Sequence, residues 1–374
     1  MSDFHQSGTI TTLHALYDIR NSGTYLVNLE KRLEEHASRR RICLLLPSLF
    51  SELQNTHVMD RIMDEIRQVH YLHKIVIALG GTTDEQEFQQ AKDYFGQLRT
   101  ENRDVKVVWV EGPRIQYILQ NIRDKAITTG IQGKGQSVWI ALGYIFATND
   151  TDVIGLHDCD IATYSRILLG RLLEPTANPN NDFQCCKGYY ARISPTEQMM
   201  KGRVTRVFVF PFVDAMTRVV NERGLQELED FFRYHASFKY PLSGEFSFTT
   251  HLARSINIAY DWGLEVATLS QVYDQVIPRK IAQIDLAPNY EHKHQELSPE
   301  DADKGLHRRV IDIAKFYPTF MRSRGVPLND SFVDMMIHTY YQNALKFLVI
   351  NLKTPYTVIN LKTPCKIRKM KKGD

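Results

Sequence analysis

The chain has 374 residues, 43% of them apolar, and a formal net charge of +3 from 46 basic and 43 acidic residues. A chain of this length buries a large core, as one domain or as two closely packed halves. The balanced charge argues against nucleic acid as a partner, because binding to a phosphate backbone needs a concentrated basic surface. Without a run of about 18 apolar residues or a signal-peptide pattern, we expect a cytosolic protein that does not bind membranes.

The cysteines argue against a disulfide framework and against a zinc site. Their number is odd and no Cys-x-x-Cys spacing occurs, so we expect them to be reduced. The five are Cys43, Cys159, Cys185, Cys186 and Cys365.

Short apolar runs alternate with polar, periodic segments through the first half of the chain. The apolar runs predict strands at 41–49, 74–81, 105–112 and 152–156. The segments that follow them predict helices near 57–73, 84–99, 115–125 and 137–148. Because strands that alternate with helices form parallel sheets, this half is expected to be α/β, doubly wound and Rossmann-like.

The pattern changes after Phe183, which indicates a second half. A long strand at 184–193, helices between 204 and 234, and a terminal helix near 331–348 are expected there. The chain end repeats VINLKTP and predicts an edge hairpin, followed by a basic tail. The predicted divisions are an N-terminal extension (1–38), a first half (39–193), a second half (194–330) and a C-terminal helix with its tail (331–374).

An acidic pair, Asp158 and Asp160, follows the apolar strand that ends near Leu156. In doubly wound sheets ligands bind beyond the carboxyl ends of the strands, so the pair is expected to face a crevice. Side chains two residues apart in an extended segment point the same way. The pair suits Mg²⁺ or Mn²⁺ held partly by substrate phosphate oxygens; the alternative is a solvated turn.

Two further segments carry weaker signals. Lys134, within GKG before a helix, offers a cation and backbone amides to an anion, although such a segment is more often a plain turn. Neither a Walker motif nor a Gly-x-Gly-x-x-Gly after the first strand is present, which disfavours nucleotide hydrolases and dinucleotide oxidoreductases. His292 and His294, in a polar loop, could bind metal, act as bases or be merely exposed.

Seven segments in this order resemble the glucosyl-3-phosphoglycerate synthases and the related mannosyl-3-phosphoglycerate synthases, which are retaining glycosyltransferases of the GT-A fold. The segments are PSL (47–49), GKGQSVW (133–139), DCD (158–160), GRVT (202–205), SGEFSFT (243–249), WGLEVATL (262–269) and QIDLAPNYEHKHQEL (283–297). The resemblance implies that the first half binds the nucleotide sugar and that the second half binds the acceptor.

The resemblance also implies roles for individual residues. Donor contacts are implied for Pro47, Ser48, Leu49, Lys134 and Asp158. The implied metal ligands are Asp160 and His292, and the implied ligands of 3-phosphoglycerate are Gly202, Arg203, Val204 and Thr205. Glu245, together with Asp158, is placed at the reacting carbon, either as a nucleophile or as a stabilising carboxylate; a helix-start carboxylate is the alternative for Glu245.

The chain departs from the family pattern at two donor positions. Glu52 stands one residue later than the family's glutamate, and Gly80 and Gly81 occupy positions where an acidic or hydroxyl side chain is expected to read the nucleotide. Glu52 and Gly81 are therefore the weaker candidates for donor contacts. The donor base stays open between UDP-glucose, GDP-glucose and GDP-mannose.

Taken together, the sequence predicts a Mg²⁺- or Mn²⁺-dependent retaining hexosyltransferase. It would transfer a hexose, glucose in the first place, from a nucleotide sugar to 3-phosphoglycerate, giving an α-linked product. The alternatives are mannosyl transfer from GDP-mannose, a sugar nucleotidylyltransferase and a non-catalytic sugar-nucleotide sensor. A homodimer is expected.

Overall fold

The structure is a computed structural model of the chain. It describes residues 9–15, 22–194, 199–259, 263–287, 290–291 and 305–352. His292, His294, Cys365 and most of the VINLKTP repeat lie outside the described residues.

The described residues form ten strands and thirteen α-helices, with one π-helix (Val204–Val209) and one 3₁₀ helix (Pro278–Lys280). The strands are β1 (Thr11–Leu13), β2 (Ile42–Leu49), β3 (Leu72–Gly80), β4 (Asp104–Trp109), β5 (Val153–Leu156), β6 (Cys185–Tyr190), β7 (Ile193–Ser194), β8 (Met199–Met200), β9 (Phe246–Thr249) and β10 (Ile281–Ala287). The α-helices are α1 (Ser22–Ala37), α2 (Phe50–Leu53), α3 (Thr56–Arg67), α4 (Glu85–Gly96), α5 (Pro113–Arg123), α6 (Lys134–Thr148), α7 (Arg166–Ala177), α8 (Phe210–Glu222), α9 (Gln226–Ala236), α10 (Thr250–Ser255), α11 (Leu264–Gln275), α12 (Gly305–Ser323) and α13 (Asp330–Leu352).

Eight strands form one sheet in the order β1-β10-β6-β9-β5-β2-β3-β4. Neighbouring strands are parallel except around β9, which runs antiparallel to both β5 and β6. The central strands β2 and β3 are nearly continuous apolar runs because helices cover both faces of the sheet. The predicted Rossmann-like, mostly parallel sheet is confirmed, and strands from both predicted halves pair within it.

Three apolar clusters hold the layers together. One cluster packs α1, α3, α4 and α7 on one face of the sheet, and a second packs α5, α6, α10 and α11 on the other face. The third cluster joins α8, α9, α12 and α13 into a helical layer beside the sheet. Burial of apolar side chains in all three clusters is the main stabilising contribution to this arrangement.

The reversed direction of β9 decides which residues meet at the edge of the sheet. Leu156, the last residue of β5, pairs with Phe246, the first residue of β9. Carboxyl ends of parallel strands lie at one edge, and an antiparallel neighbour contributes its amino end there. Glu245, immediately before β9, therefore lies at the same edge as Asp158, just beyond β5.

Helix α13 continues to Leu352 and so includes the first four residues of the first VINLKTP copy, Val349–Leu352. The predicted hairpin is wrong for these four residues, which are helical. In the described part of the chain no helix is both long and apolar enough to cross a membrane. The described cysteines are buried and form no disulfide with one another: Cys43, Cys159, Cys185 and Cys186.

Candidate active site

The carboxyl ends of β2 and β3 form the floor of the predicted donor side. Ser48 is buried, whereas Leu49 is 51% exposed at the edge of the sheet. Gly81 has a φ of +80°, a conformation that favours glycine, and a Cβ there would lie 3.3 Å from Leu49 Cδ2. Backbone and the exposed side chain of Leu49 therefore line these strand ends.

Lys134, at the start of α6, forms an ion pair with the carboxylate of Asp158. The distance from its Nζ to Asp158 Oδ1 is 2.7 Å, and Glu265 Oε1 lies 3.4 Å from the same nitrogen. Burial opposes the charge of Lys134, but the two carboxylates outweigh burial and raise the pKa of the ammonium. The structure thus brings together two predicted donor residues, Lys134 and Asp158, and adds Glu265.

Asp158 and Asp160 flank the buried Cys159 at the end of β5. Burial, and next the Asp158 carboxylate, raise the pKa of Asp160 to about 7. Glu52 also raises this pKa, which places its carboxylate within electrostatic reach of Asp160. Asp160 is therefore short of positive charge, whereas Asp158 is paired with Lys134.

This shortage of positive charge fits a hard divalent ion. Carboxylate oxygens are the ligands that Mg²⁺ and Mn²⁺ favour, and such ions take one or two protein carboxylates together with substrate oxygens. Among the described residues, no three His, Cys, Asp or Glu side chains are gathered so as to hold a metal by themselves. Asp160 as a ligand stays a prediction, as does His292, which lies outside the described residues.

The segment Ser243–Glu245 covers the ion pair. A Cβ on Gly244 would lie 2.6 Å from Lys134 Nζ and closer still to Asp158 Oδ2, so only glycine leaves room for both groups. Glu245 is fully buried beside them, and burial, followed by the Asp158 carboxylate, raises its pKa to about 7. The Tyr290 hydroxyl donates a hydrogen bond to Glu245 Oε1. Glu245 therefore lies against the predicted donor site.

Lys187, which sequence reasoning missed, holds the segment Ser243–Glu245 in place through a hydrogen bond. Its Nζ donates to the carbonyl oxygen of Ser243 and lies 3.6 Å from the centre of the Phe246 ring. Burial lowers the pKa of Lys187 to about 7. The only available signal was a single charged residue within the apolar strand CCKGYY.

The predicted acceptor segment lies at the start of the π-helix. Gly202 has a φ of +81°, and a Cβ there would lie 2.9 Å from the Tyr240 hydroxyl. Arg203 is exposed, Val204 begins the π-helix, and Thr205 is buried with its hydroxyl unpartnered among the described residues. Such irregular helical turns are frequent at functional sites.

Arg192 was also missed by sequence reasoning and lies beside this segment. Its Nη1 donates to the Tyr240 hydroxyl at 3.3 Å, and Lys201 N donates to its carbonyl oxygen at 2.7 Å. Its Nε is buried and has no hydrogen-bond partner within the described chain. A buried guanidinium donor of this kind is suited to an anion.

Stacked tyrosines connect Glu245 with the acceptor segment. Tyr290, which hydrogen-bonds Glu245, stacks on Tyr190 with ring centres 3.6 Å apart. Tyr190 in turn packs against Tyr240 at 5.0 Å, and Tyr240 contacts Gly202. A continuous series of contacts therefore links Glu245, which lies against the predicted donor residues, to the predicted acceptor segment.

Comparison with known proteins places the chain among relatives of one kind. It is 41% identical over 344 residues to the glucosyl-3-phosphoglycerate synthase of Persephonella marina, covering 92% of this chain and 80% of the relative. It is 39% identical over 321 residues to the enzyme of the same name from Methanococcoides burtonii, covering 86% and 73%. No family model matches the chain.

Solved structures of the Mycobacterium tuberculosis glucosyl-3-phosphoglycerate synthase share the fold. The complex with Mn²⁺, UDP and glucosyl-3-phosphoglycerate has a TM-score of 0.55 at 20% identity and covers 80% of this chain and 85% of that chain. The complex with Mn²⁺, UDP-glucose and phosphoglyceric acid has a TM-score of 0.57 at 19% identity, covering 86% and 89%. The glycosyltransferase fold predicted from the sequence is confirmed, and the identity to the curated relatives shows that the chain belongs to the glucosyl-3-phosphoglycerate synthase family.

Proposed function

We propose that the chain transfers glucose from a nucleotide sugar to 3-phosphoglycerate in a reaction that depends on Mg²⁺ or Mn²⁺. The family to which the chain belongs confirms the enzyme class and reaction that the sequence predicts. The observation that carries the proposal at atomic level is the Lys134–Asp158 ion pair, covered by Gly244 and adjoined by Asp160 and Glu245. This group can hold an activated sugar at the place where acceptor and donor meet.

On the donor side, Pro47, Ser48, Leu49 and Gly81 supply the surface on which the nucleoside lies. Lys134 pairs with Asp158 at 2.7 Å and orients its carboxylate, which is proposed to bind the donor sugar or ribose. Asp160, with His292 as the proposed second ligand, would hold a divalent ion, which would supply positive charge to the leaving diphosphate. The first half of the chain, 39–193, is accordingly proposed to bind the donor.

On the acceptor side, the second half, 194–330, is proposed to hold 3-phosphoglycerate. The acceptor carries a carboxylate and a phosphate, and both need cationic or amide donors. Gly202, Arg203, Val204 and Thr205 offer a guanidinium, a hydroxyl and the backbone amides at the start of a helix. The buried Nε of Arg192 lies on the same side and supports this placement.

The position of Glu245 bears on the stereochemistry, which we propose to be retention. Its carboxylate lies against Gly244 and the Lys134–Asp158 pair, next to the proposed sugar position. There it can stabilise the positive charge that develops on the sugar during cleavage of the anomeric bond, or act as the nucleophile. In both roles the reactive form is the ionised carboxylate.

The assembly and location of the enzyme are proposed as well. Helix α13 exposes an apolar stripe at Val333, Ile337, Tyr341 and Leu345, which supports a homodimer. The buried free thiols are compatible with the proposed reducing cytosol. UDP-glucose and GDP-glucose are the proposed donors.

The test is product formation from defined substrates. The enzyme is incubated with UDP-glucose, GDP-glucose or GDP-mannose and with 3-phosphoglycerate or glycerate, and release of nucleoside diphosphate is followed. We expect turnover with a glucosyl donor and 3-phosphoglycerate, loss of activity with chelator, and an α-anomeric proton coupling in the product. A β-linked product would contradict retention, and equal turnover of glycerate would contradict the acceptor site.

A further inference from the structure

Glu111 lies where the donor nucleoside is proposed to bind, although it comes from a neighbouring strand. Val110 N donates to Leu79 O at 2.9 Å, which extends the pairing of β4 with β3 one residue beyond Trp109. Glu111 therefore lies beside Gly80 and Gly81, where the family resemblance implies an acidic or hydroxyl side chain. The segment after β4 thus supplies a carboxylate beside these two glycines.

The Glu111 carboxylate is hydrogen-bonded through one oxygen, and its other oxygen has no hydrogen-bond donor in the described part of the chain. Oε1 accepts hydrogen bonds from Gly81 N at 3.0 Å and from Gln132 Nε2 at 2.6 Å. Oε2 is buried and has no hydrogen-bond partner in the described part of the chain. A buried carboxylate oxygen without a hydrogen-bond donor destabilises the protein, so a ligand that donates to Oε2 removes that penalty when it binds.

The turn that carries Glu111 is rigid. Trp109 donates from Nε1 to Thr82 O at 2.8 Å and stacks on Phe88 with ring centres 4.7 Å apart. Gly112 packs so closely on Trp109 that a Cβ would lie 2.6 Å from the indole ring. The carboxylate is therefore held in place before any ligand binds.

The space in front of the carboxylate suits a flat, partly apolar group. A Cβ on Gly80 would lie 3.5 Å from Glu111 Oε1 and 3.5 Å from Ser137 Oγ, so the absence of a side chain at Gly80 leaves a shallow niche. The exposed Leu49 side chain borders the same niche. An aromatic ring could lie on these glycines with its polar edge toward Glu111.

The distance to the acidic pair fits a nucleoside diphosphate. Glu111 follows β4 and Asp158 follows β5, and the strand order between them is β4-β3-β2-β5. Three strand spacings amount to about 14 Å. A donor whose diphosphate lies at Asp158 and Asp160 can therefore extend across β2 and place its base at Glu111.

We infer that Glu111 reads the donor base by accepting a hydrogen bond from a ring N–H, either N3–H of uracil or N1–H of guanine. The inference rests on the proposed function and adds the base selectivity of the same site. Adenine N1 and cytosine N3 carry lone pairs instead of hydrogens and face repulsion from the carboxylate. The enzyme accordingly selects UDP-glucose and GDP-glucose against ADP-glucose and CDP-glucose.

The test compares these four donors, with 3-phosphoglycerate saturating, on wild type, Glu111→Gln and the matched control Glu101→Gln, an exposed glutamate before β4. For the wild type, kcat/KM with the better of UDP-glucose and GDP-glucose is expected to exceed kcat/KM with ADP-glucose and with CDP-glucose by about 10- to 100-fold, the scale of one charged hydrogen bond. Comparison of UDP-glucose with GDP-glucose then shows which base the enzyme prefers. Glu101→Gln is expected to keep this ratio.

Glu111→Gln is expected to collapse the ratio, because its amide can donate to adenine N1 or cytosine N3 while its oxygen still accepts from Gly81 N. An unchanged ratio in this variant, with turnover retained, would overturn the inference, as would a wild type that prefers ADP-glucose or CDP-glucose. A wild type that turns over none of the four donors would instead overturn the proposed function. Thermal unfolding of the variant, and its residual turnover with the least favoured donors, separate a lost base contact from a lost fold.

Discussion

Gly244→Ala is expected to leave the protein folded and to remove most of its activity. The new Cβ would lie 2.6 Å from Lys134 Nζ and closer still to Asp158 Oδ2, whereas unstrained contacts are about 3.5 Å. Both groups are ends of side chains, so each can move aside by about 1 Å at little cost to the fold. That movement separates or reorients the Lys134–Asp158 ion pair, in which Nζ and Oδ1 are 2.7 Å apart in the wild type.

The expected loss follows from that displacement. Moving groups by about 1 Å at a reacting centre lowers the rate by about 10²-fold, which corresponds to about 2.7 kcal/mol of transition-state stabilisation. The assay is kcat/KM for the sugar nucleotide, followed by nucleoside diphosphate release, together with thermal unfolding. We expect kcat/KM to fall by about 10²-fold and Tm to change little.

Gly143→Ala is the matched control. Gly143 lies in α6, the helix that begins at Lys134, and a Cβ added there would meet no other group within 4 Å. Alanine there should stabilise the helix by about 0.5–1 kcal/mol and leave kcat/KM unchanged. If Gly244→Ala kept kcat/KM within threefold of wild type, the proposed role of the Lys134–Asp158 pair would be wrong.

Other substitutions test the proposed metal ligand, the ionisation of Glu245, the proposed acceptor pocket and the dependence of stability on pH. Asp160→Asn should lower activity by about 10³-fold at saturating Mg²⁺ yet raise Tm in chelator, because it removes repulsion with Asp158; unchanged activity would exclude Asp160 as a ligand. Tyr290→Phe removes a hydrogen bond that lowers the pKa of Glu245, so the acidic limb of the kcat profile should move up by about one pH unit, and a fixed limb would contradict the role of the ionised carboxylate. Arg192→Gln should raise KM for 3-phosphoglycerate about tenfold or more and leave donor binding unchanged, as judged by titration with each substrate. Burial lowers the pKa of His235 to about 3, so between about pH 6.5 and pH 3 only the unfolded chain takes up this proton, and the free energy of unfolding falls as the pH falls. Between pH 7 and pH 5, measured by urea unfolding, His235→Gln should therefore lose about 2 kcal/mol less stability than wild type. Equal losses would contradict a neutral, buried His235 in the folded protein.

The parallel part of the sheet was predictable because its strands are apolar runs separated by periodic helices. The strand that places Glu245 near Asp158, β9, was not predictable in the same way. β9 has only four residues, Phe246–Thr249, and its antiparallel place between β5 and β6 depends on pairing with distant segments. Family resemblance led to Glu245, but only the direction of β9 explains how it reaches Asp158.

The residues that sequence reasoning missed share one property: each acts through a neighbour that is distant in the chain. Lys187 contacts Ser243, Arg192 contacts Tyr240, and Glu111 contacts Gly81. A short pattern shows none of these pairs, because the sequence places the partners on different strands or loops. Motif residues such as Asp158 could be found because they stand together in a short segment.

The shared sheet also limits how the enzyme can open and close. β9, which belongs to the second half of the chain, forms hydrogen bonds with β5 and β6, which both belong to the first half. A hinge rotation of one half against the other would break this central pairing, so domain closure of the clamshell type is not available to the molecule. The distance between the bound sugar and the bound acceptor is then fixed by the sheet. Entry and release of substrates depend on movements of the loops around the edge of the sheet.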